Sequence, residues 1–100
     1  MLQYNNMNTV DDISKMITPY LKQYPISYAG LFGSYARDDF REDSDVDVLI
    51  RYSRPFNLFD MGKLLNSLES VTGKKFDLVP ENTVHPLMMK YIKKTLVKII

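Results

Sequence analysis

The stretch Leu31–Ile50, LFGSYARDDFREDSDVDVLI, decides the fold. It opens on the end of an apolar run, Ile26 to Phe32 (ISYAGLF), which reads as a buried strand. Gly33-Ser34 breaks that run, a short helix over Tyr35 to Asp38 is predicted, and a polar loop follows from Asp39 to Ser44. The segment Asp45 to Arg51 (DVDVLIR) then alternates: Val46, Val48 and Ile50 share one face of a strand, Asp45 and Asp47 the other. A strand is thus read on either side of a glycine turn, a short helix and a polar loop.

The flanks supply its cover. Thr9 followed by Asp12 reads as a helix cap with an acidic first turn. Val10, Ile13, Ile17, Tyr20, Leu21 and Tyr24 recur at helical spacing, so a helix is expected from about 10 to 23, with a bend at Pro19 and a stop at Pro25. Downstream, Phe59, Leu64, Leu65, Leu68 and Val71 suit a second long helix closed by Thr72-Gly73. Lys75 to Val79 (KFDLV) is a third strand, with Phe76 and Leu78 toward the core and Asp77 away from it. Pro86 opens a last helix to about Thr95, and LVKII adds an edge strand. The expected class is α/β (α+β): a small three- to four-stranded mixed sheet backed by helices, as one domain over residues 1–100.

Composition narrows the partners. Hydrophobic residues make up 45% and charged ones 25%, a balance that suits a folded soluble domain rather than a disordered chain. The absence of cysteine removes disulfides and thiolate metal sites and fits a reducing, cytoplasmic setting. No apolar run reaches the roughly 20 residues of a membrane helix, so no membrane association is expected. The net charge is only +1, but six of the twelve acids, Asp38, Asp39, Glu42, Asp43, Asp45 and Asp47, crowd one segment. After Glu81 the only charges are Lys90, Lys93, Lys94 and Lys98, apart from the terminus and His85. A local acidic cluster rather than a basic stripe favours a metal pocket over a nucleic-acid surface.

Asp45 and Asp47 face one way, and Asp77 repeats the arrangement; if the two strands are neighbours, three carboxylates converge. Two unit charges roughly 5 Å apart repel by about 3 kcal/mol at an effective dielectric of 20. Either one carboxyl keeps a proton or a cation sits between them. Oxygen ligands without His or Cys suit Mg²⁺ or Mn²⁺, and Mg²⁺ shares its shell with water and substrate phosphates. Gly33-Ser34, between strand and helix, offers backbone N–H groups and a hydroxyl suited to phosphate. Together these features describe a site for a nucleoside triphosphate.

The segment resembles the signature of the minimal nucleotidyltransferases, small members of the DNA polymerase β-like superfamily. Gly33-Ser34, the ten residues Tyr35 to Ser44 and Asp45-Val46-Asp47 match its Gly-Ser, spacer and Asp-x-Asp pattern, and Asp77 stands where its third carboxylate belongs. The resemblance covers about Tyr20 to Val79. It implies transfer of a nucleoside monophosphate, AMP from ATP, to an acceptor hydroxyl. In that scheme Asp45, Asp47 and Asp77 serve catalysis and hold Mg²⁺ (or Mn²⁺), while Gly33, Ser34 and Arg37 hold the triphosphate. It also implies a helical HEPN-type partner protein, either modified by the chain or neutralised by contact alone; a homo-oligomer is compatible. One departure stands out: Asp38 occupies a position commonly taken by Gly, adding negative charge near the phosphates.

The same residues admit other readings. A solvated edge strand would explain Asp45 and Asp47 but not the matching Gly-Ser pair. A calcium loop would need further oxygen ligands and a Gly where Leu49 and Ile50 stand. Arg37 can pair with Asp38, Asp39 or Glu42 as readily as with phosphate. His85 borders a helix start and carries no expected catalysis, and the last helix's lysines read as a solvated face.

Overall fold

The computed structural model of the chain describes residues 9–37, 41 and 44–100. Helix α1 spans Val10–Leu21, capped by Thr9, whose hydroxyl accepts from the Asp12 N–H at 3.0 Å. It runs through the exposed Pro19 and stops two residues before the expected end, because Lys22 to Pro25 form a turn. Strand β1 covers Ile26–Phe32, as the apolar run predicts, and is followed by a single helical turn, α2, at Ser34–Arg37. Strand β2 is Val46–Tyr52, so Asp45 stands just ahead of it rather than inside it. Helix α3 occupies Leu58–Thr72, capped by Asn57 and closed by Gly73 in the left-handed conformation at φ 72°. Strand β3 (Phe76–Pro80) leads through a 3₁₀ turn at Glu81–Thr83 to α4 (Pro86–Thr95) and the two-residue strand β4 (Val97–Lys98). The expected end of the short helix at Asp38, and with it that residue's orientation, lies outside the described residues.

The four strands form one mixed sheet in the order β3-β2-β1-β4. Strand β1 is antiparallel to both β2 and β4, whereas β2 and β3 run parallel, joined by α3. Register fixes the faces. Val46, Val48 and Ile50 are fully buried and cluster with Ile13, Ile17 and Leu21 of α1, Leu64 and Leu68 of α3, and Phe76. Helices α1 and α3 therefore cover one face, and the alternation read from DVDVLIR holds there.

The opposite face is less open than that alternation implies. Leu49, on the side of Asp47, is only 2% exposed, and Ile92 of α4 is 5% exposed. Leu96 lies so close over Gly30 that a Cβ there would come within 2.7 Å of its Cδ1. The last helix thus closes much of the second face and leaves uncovered the end where Asp47 emerges. Phe59, which helical spacing groups with the core residues, is 74% exposed near the start of α3.

Truncation separates these environments. Leu68→Ala is expected to lower the unfolding free energy by about 2–5 kcal/mol in denaturant titration, the range for a buried leucine. Phe59→Ser is expected to change it by about 0.5 kcal/mol or less, since its ring is already in water.

Candidate active site

Asp47 and Asp77 are register partners on the parallel pair β2–β3, and Asp47 also pairs with Phe32 across the antiparallel ladder to β1. Partners in register share a face, so Asp77, Asp47 and Phe32 form one row across the sheet. Neighbouring strands lie about 4.8 Å apart, which brings the two carboxylates together without any loop having to position them. The β2 end of this arrangement is fixed by the Val46 N–H, which donates to the Lys75 carbonyl at 2.8 Å. Phe76 and Leu78, packed into the core, hold Asp77 facing outward.

Gly33 follows Phe32 directly and adopts φ +77°, a conformation that L side chains rarely take. A Cβ at this position would collide with Asp47 Oδ2. The turn and the carboxylate are therefore in contact, and glycine is required both by backbone angle and by space. Tyr35, 1% exposed, roots α2 in the core, with Lys74 Nζ 5.6 Å from its ring centre. Within the turn, the Arg37 N–H donates to the Gly33 carbonyl at 3.0 Å. Ser34 is half-buried at the first position of the turn, and Arg37 is exposed at its last.

Five of the six residues singled out in the sequence can be related directly to Asp47. Gly33 touches it, Ser34 follows Gly33, Asp77 opposes it, and the charges of Asp45 and Arg37 reach it. Its carboxyl is pushed up to about 6, first by burial, then by the negative charges of Asp77 and Asp45, with Arg37 pulling the other way. Among the described residues, no three His, Cys, Asp or Glu side chains are placed to hold an ion by themselves. Such a donor set fits an ion that takes one or two carboxylates and completes its shell with water and phosphate oxygens, as Mg²⁺ does.

Beside the carboxylates lies a groove of about 430 Å³, lined by Asp47 and Asp77, by Phe32 and Val79 of the sheet, by Thr83, Val84 and His85, and by Met88 and Ile92 of α4. Its size falls within the range of small-molecule sites. Periodicity alone gave Met88 and His85 no place near the acids; the fold of α4 across the sheet brings them there. His85 caps α4, its Nδ1 accepting from the Leu87 N–H at 3.1 Å. Thr95 is a second residue that spacing could not reveal: its Oγ1 accepts from the Gly33 N–H at 3.3 Å, across 62 residues of sequence.

The raised Asp47 carboxyl has a measurable sign. Its folded-state value lies above the unfolded one, so its contribution to stability is present below about pH 4 and lost as the pH rises through about 6. In metal-free protein, Asp47→Asn is expected to raise the melting temperature at pH 7.5 by about 4–8 °C. That corresponds to about 1 kcal/mol after allowance for solvent screening. The gain should shrink to nothing near pH 4, as followed by thermal unfolding across pH.

Comparison with known proteins bears on this geometry. The family described as "Polymerase beta, Nucleotidyltransferase" matches residues 15–100. A candidate protein adenylyltransferase of Methanocaldococcus jannaschii is 37% identical over 79 residues, covering 79% of this chain and 85% of the relative. Among solved structures, a candidate minimal nucleotidyltransferase superposes with a TM-score of 0.78 at 25% identity, covering 91% of this chain and 93% of that one. A chain from the complex of a tri-AMPylated Shewanella oneidensis HEPN toxin with an MNT antitoxin shares the fold, with a TM-score of 0.68 at 17% identity over 88% of this chain and 69% of that one. The family match takes in the Gly33 turn and all three carboxylates: the chain belongs to the polymerase β nucleotidyltransferase family and is a nucleotidyltransferase.

Proposed function

We propose that the chain transfers AMP from ATP to a hydroxyl on a HEPN-type partner protein, with a divalent cation, Mg²⁺ or Mn²⁺, at Asp45, Asp47 and Asp77. The observation that carries this reading is the register pairing of Asp47 with Asp77 beside a glycine turn that has no room for a side chain. Like charges held together by the sheet weaken the fold unless something positive joins them, and the contacting turn is suited to phosphate. The relative named as a protein adenylyltransferase supports AMP as the group and protein as the acceptor. The AMPylated HEPN toxin bound to an MNT antitoxin of the same fold supports the kind of partner.

In this mechanism the Gly33 turn brings the backbone close to the terminal phosphates, which bind to the N–H groups that follow Gly33 and to the Ser34 hydroxyl, and the Arg37 guanidinium balances part of their charge. When bound, the divalent ion supplies charge neutralisation and Lewis acidity for transfer. Asp77, exposed at the groove, takes the proton of the acceptor hydroxyl. The acceptor oxygen then bonds to the α-phosphorus as the bond to the bridging oxygen of the β-phosphate breaks, and pyrophosphate leaves in line. Phe32, Val79, Val84, Met88 and Ile92 flank this position and offer the acceptor an apolar wall.

A second reading, a non-catalytic or weakly catalytic antitoxin-like module that works by contact, is favoured by one observation: the chain shares the fold of a chain from a complex in which an MNT antitoxin is bound to a HEPN toxin. One experiment separates the two. With α-labelled ATP, Mg²⁺ and a co-expressed HEPN-type partner, the enzyme reading expects label on the partner. Asp47→Asn and Asp77→Asn are each expected to slow labelling at least about a hundredfold, equivalent to roughly 3 kcal/mol of barrier. Tight association without label, unchanged in both variants, establishes the contact module instead.

A further inference from the structure

We propose that Thr95 is a positioning residue for nucleotide binding: its hydroxyl holds the Gly33 amide and so sets the phosphate-binding turn against Asp47. The inference rests on the reading of the Gly33 turn as the triphosphate site. It starts from the ladder between β1 and β4. Gly30 pairs with Lys98 and Leu31 with Val97; continued in the same register, Gly33 stands opposite Thr95. A longer β4 would meet the Gly33 N–H with strand backbone. The chain there is already helical, since α4 ends at Thr95 and β4 begins only at Val97.

The side chain takes over where the strand is missing. Thr95 Oγ1 accepts from the Gly33 N–H at 3.3 Å and donates to the Ile92 carbonyl at 3.5 Å. The two contacts are compatible: a hydroxyl proton directed back at the helix leaves a lone pair toward the Gly33 amide. Thr95 is half-buried, so this bond is partly shielded from water.

Three constraints then converge on Gly33. Its φ of +77° sets the backbone angle, Asp47 fills the space where a Cβ would be, and Thr95 fixes the direction of its N–H. A free peptide at this point could rotate, moving the Ser34 hydroxyl and the following amides relative to the carboxylates. The hydroxyl therefore acts on substrate through the turn. Its loss weakens nucleotide binding equally in ground and transition states, which raises KM and leaves kcat nearly unchanged.

The test uses the full chain, with ATP and Mg²⁺ as the probe. Thr95→Val keeps the branched shape and removes the hydroxyl, whereas Thr95→Ser keeps the hydroxyl. In Thr95→Val the Gly33 amide is expected to exchange with deuterium faster than in wild type. The Kd and KM for ATP should rise about three- to tenfold, the scale of one hydrogen bond, with kcat at saturating ATP within about twofold. Thr95→Ser restores both readouts. Unchanged Gly33 exchange and unchanged ATP affinity in Thr95→Val overturn the proposal. So does a loss of affinity accompanied by a general rise in exchange throughout β1 and α4, which assigns the hydroxyl to folding. If the wild-type chain binds no ATP, the triphosphate reading of the turn fails and this inference with it. That failure is distinguished by a Gly33 amide that still responds to Thr95→Val.

Discussion

Asp47 and Asp77 are held face to face by strand register, and most of the molecule can be understood as the means of holding them there. Their repulsion works against the fold, and the charge of Arg37 offsets only part of it. The opposing force comes from the other side of the same strands, where Val46, Val48, Phe76 and Leu78 pack against α1 and α3. Each strand places an apolar residue on either side of its acid in sequence, so burying those neighbours turns the acid outward. The carboxylate pair is thus assembled by hydrophobic packing one sheet thickness away.

The polar half of the site depends on the same strands. Strand β1 ends at Phe32 beside Asp47, and the next residue must turn while touching a carboxylate. Only glycine meets both demands. Anchored by Tyr35 below and Thr95 beside it, the turn has little freedom although α2 is a single helical turn. A macrodipole from so short a helix is small, so anion affinity here rests on N–H groups and the Ser34 hydroxyl more than on helix polarity.

Much of this was legible in the sequence because its determinants are local. Strand β1 announces itself as an apolar run between Pro25 and Gly33, the alternation of DVDVLIR marks the core face of β2, and Gly73 marks the stop of α3. The spacing of Gly33-Ser34 and Asp45-Val46-Asp47 marks the candidate site within one short segment. What could not be read depends on contacts remote in sequence. Leu49 alternates onto the side of Asp47 yet is buried there, with Met89 and Lys93 of α4 beside it. Phe59 fits the helical period but is left in solvent near the start of α3. Thr95 meets Gly33 only because the chain returns along β1, and no periodicity encodes that.

The parallel pairing of β2 and β3 has a consequence for how the chain tolerates changes in length. Residues Gly73, Lys74 and Lys75 connect α3 to β3, and Lys75 is already tied to the start of β2. Adding or removing one residue there would shift β3 by one step and exchange its two faces. An acid would then be driven toward the leucines of α3 while Phe76 or Leu78 surfaced among the carboxylates. The left-handed Gly73 and the half-buried Lys74 limit composition here, but the exposed Lys75 can change without moving β3, whereas an insertion or deletion anywhere in the connector cannot be absorbed.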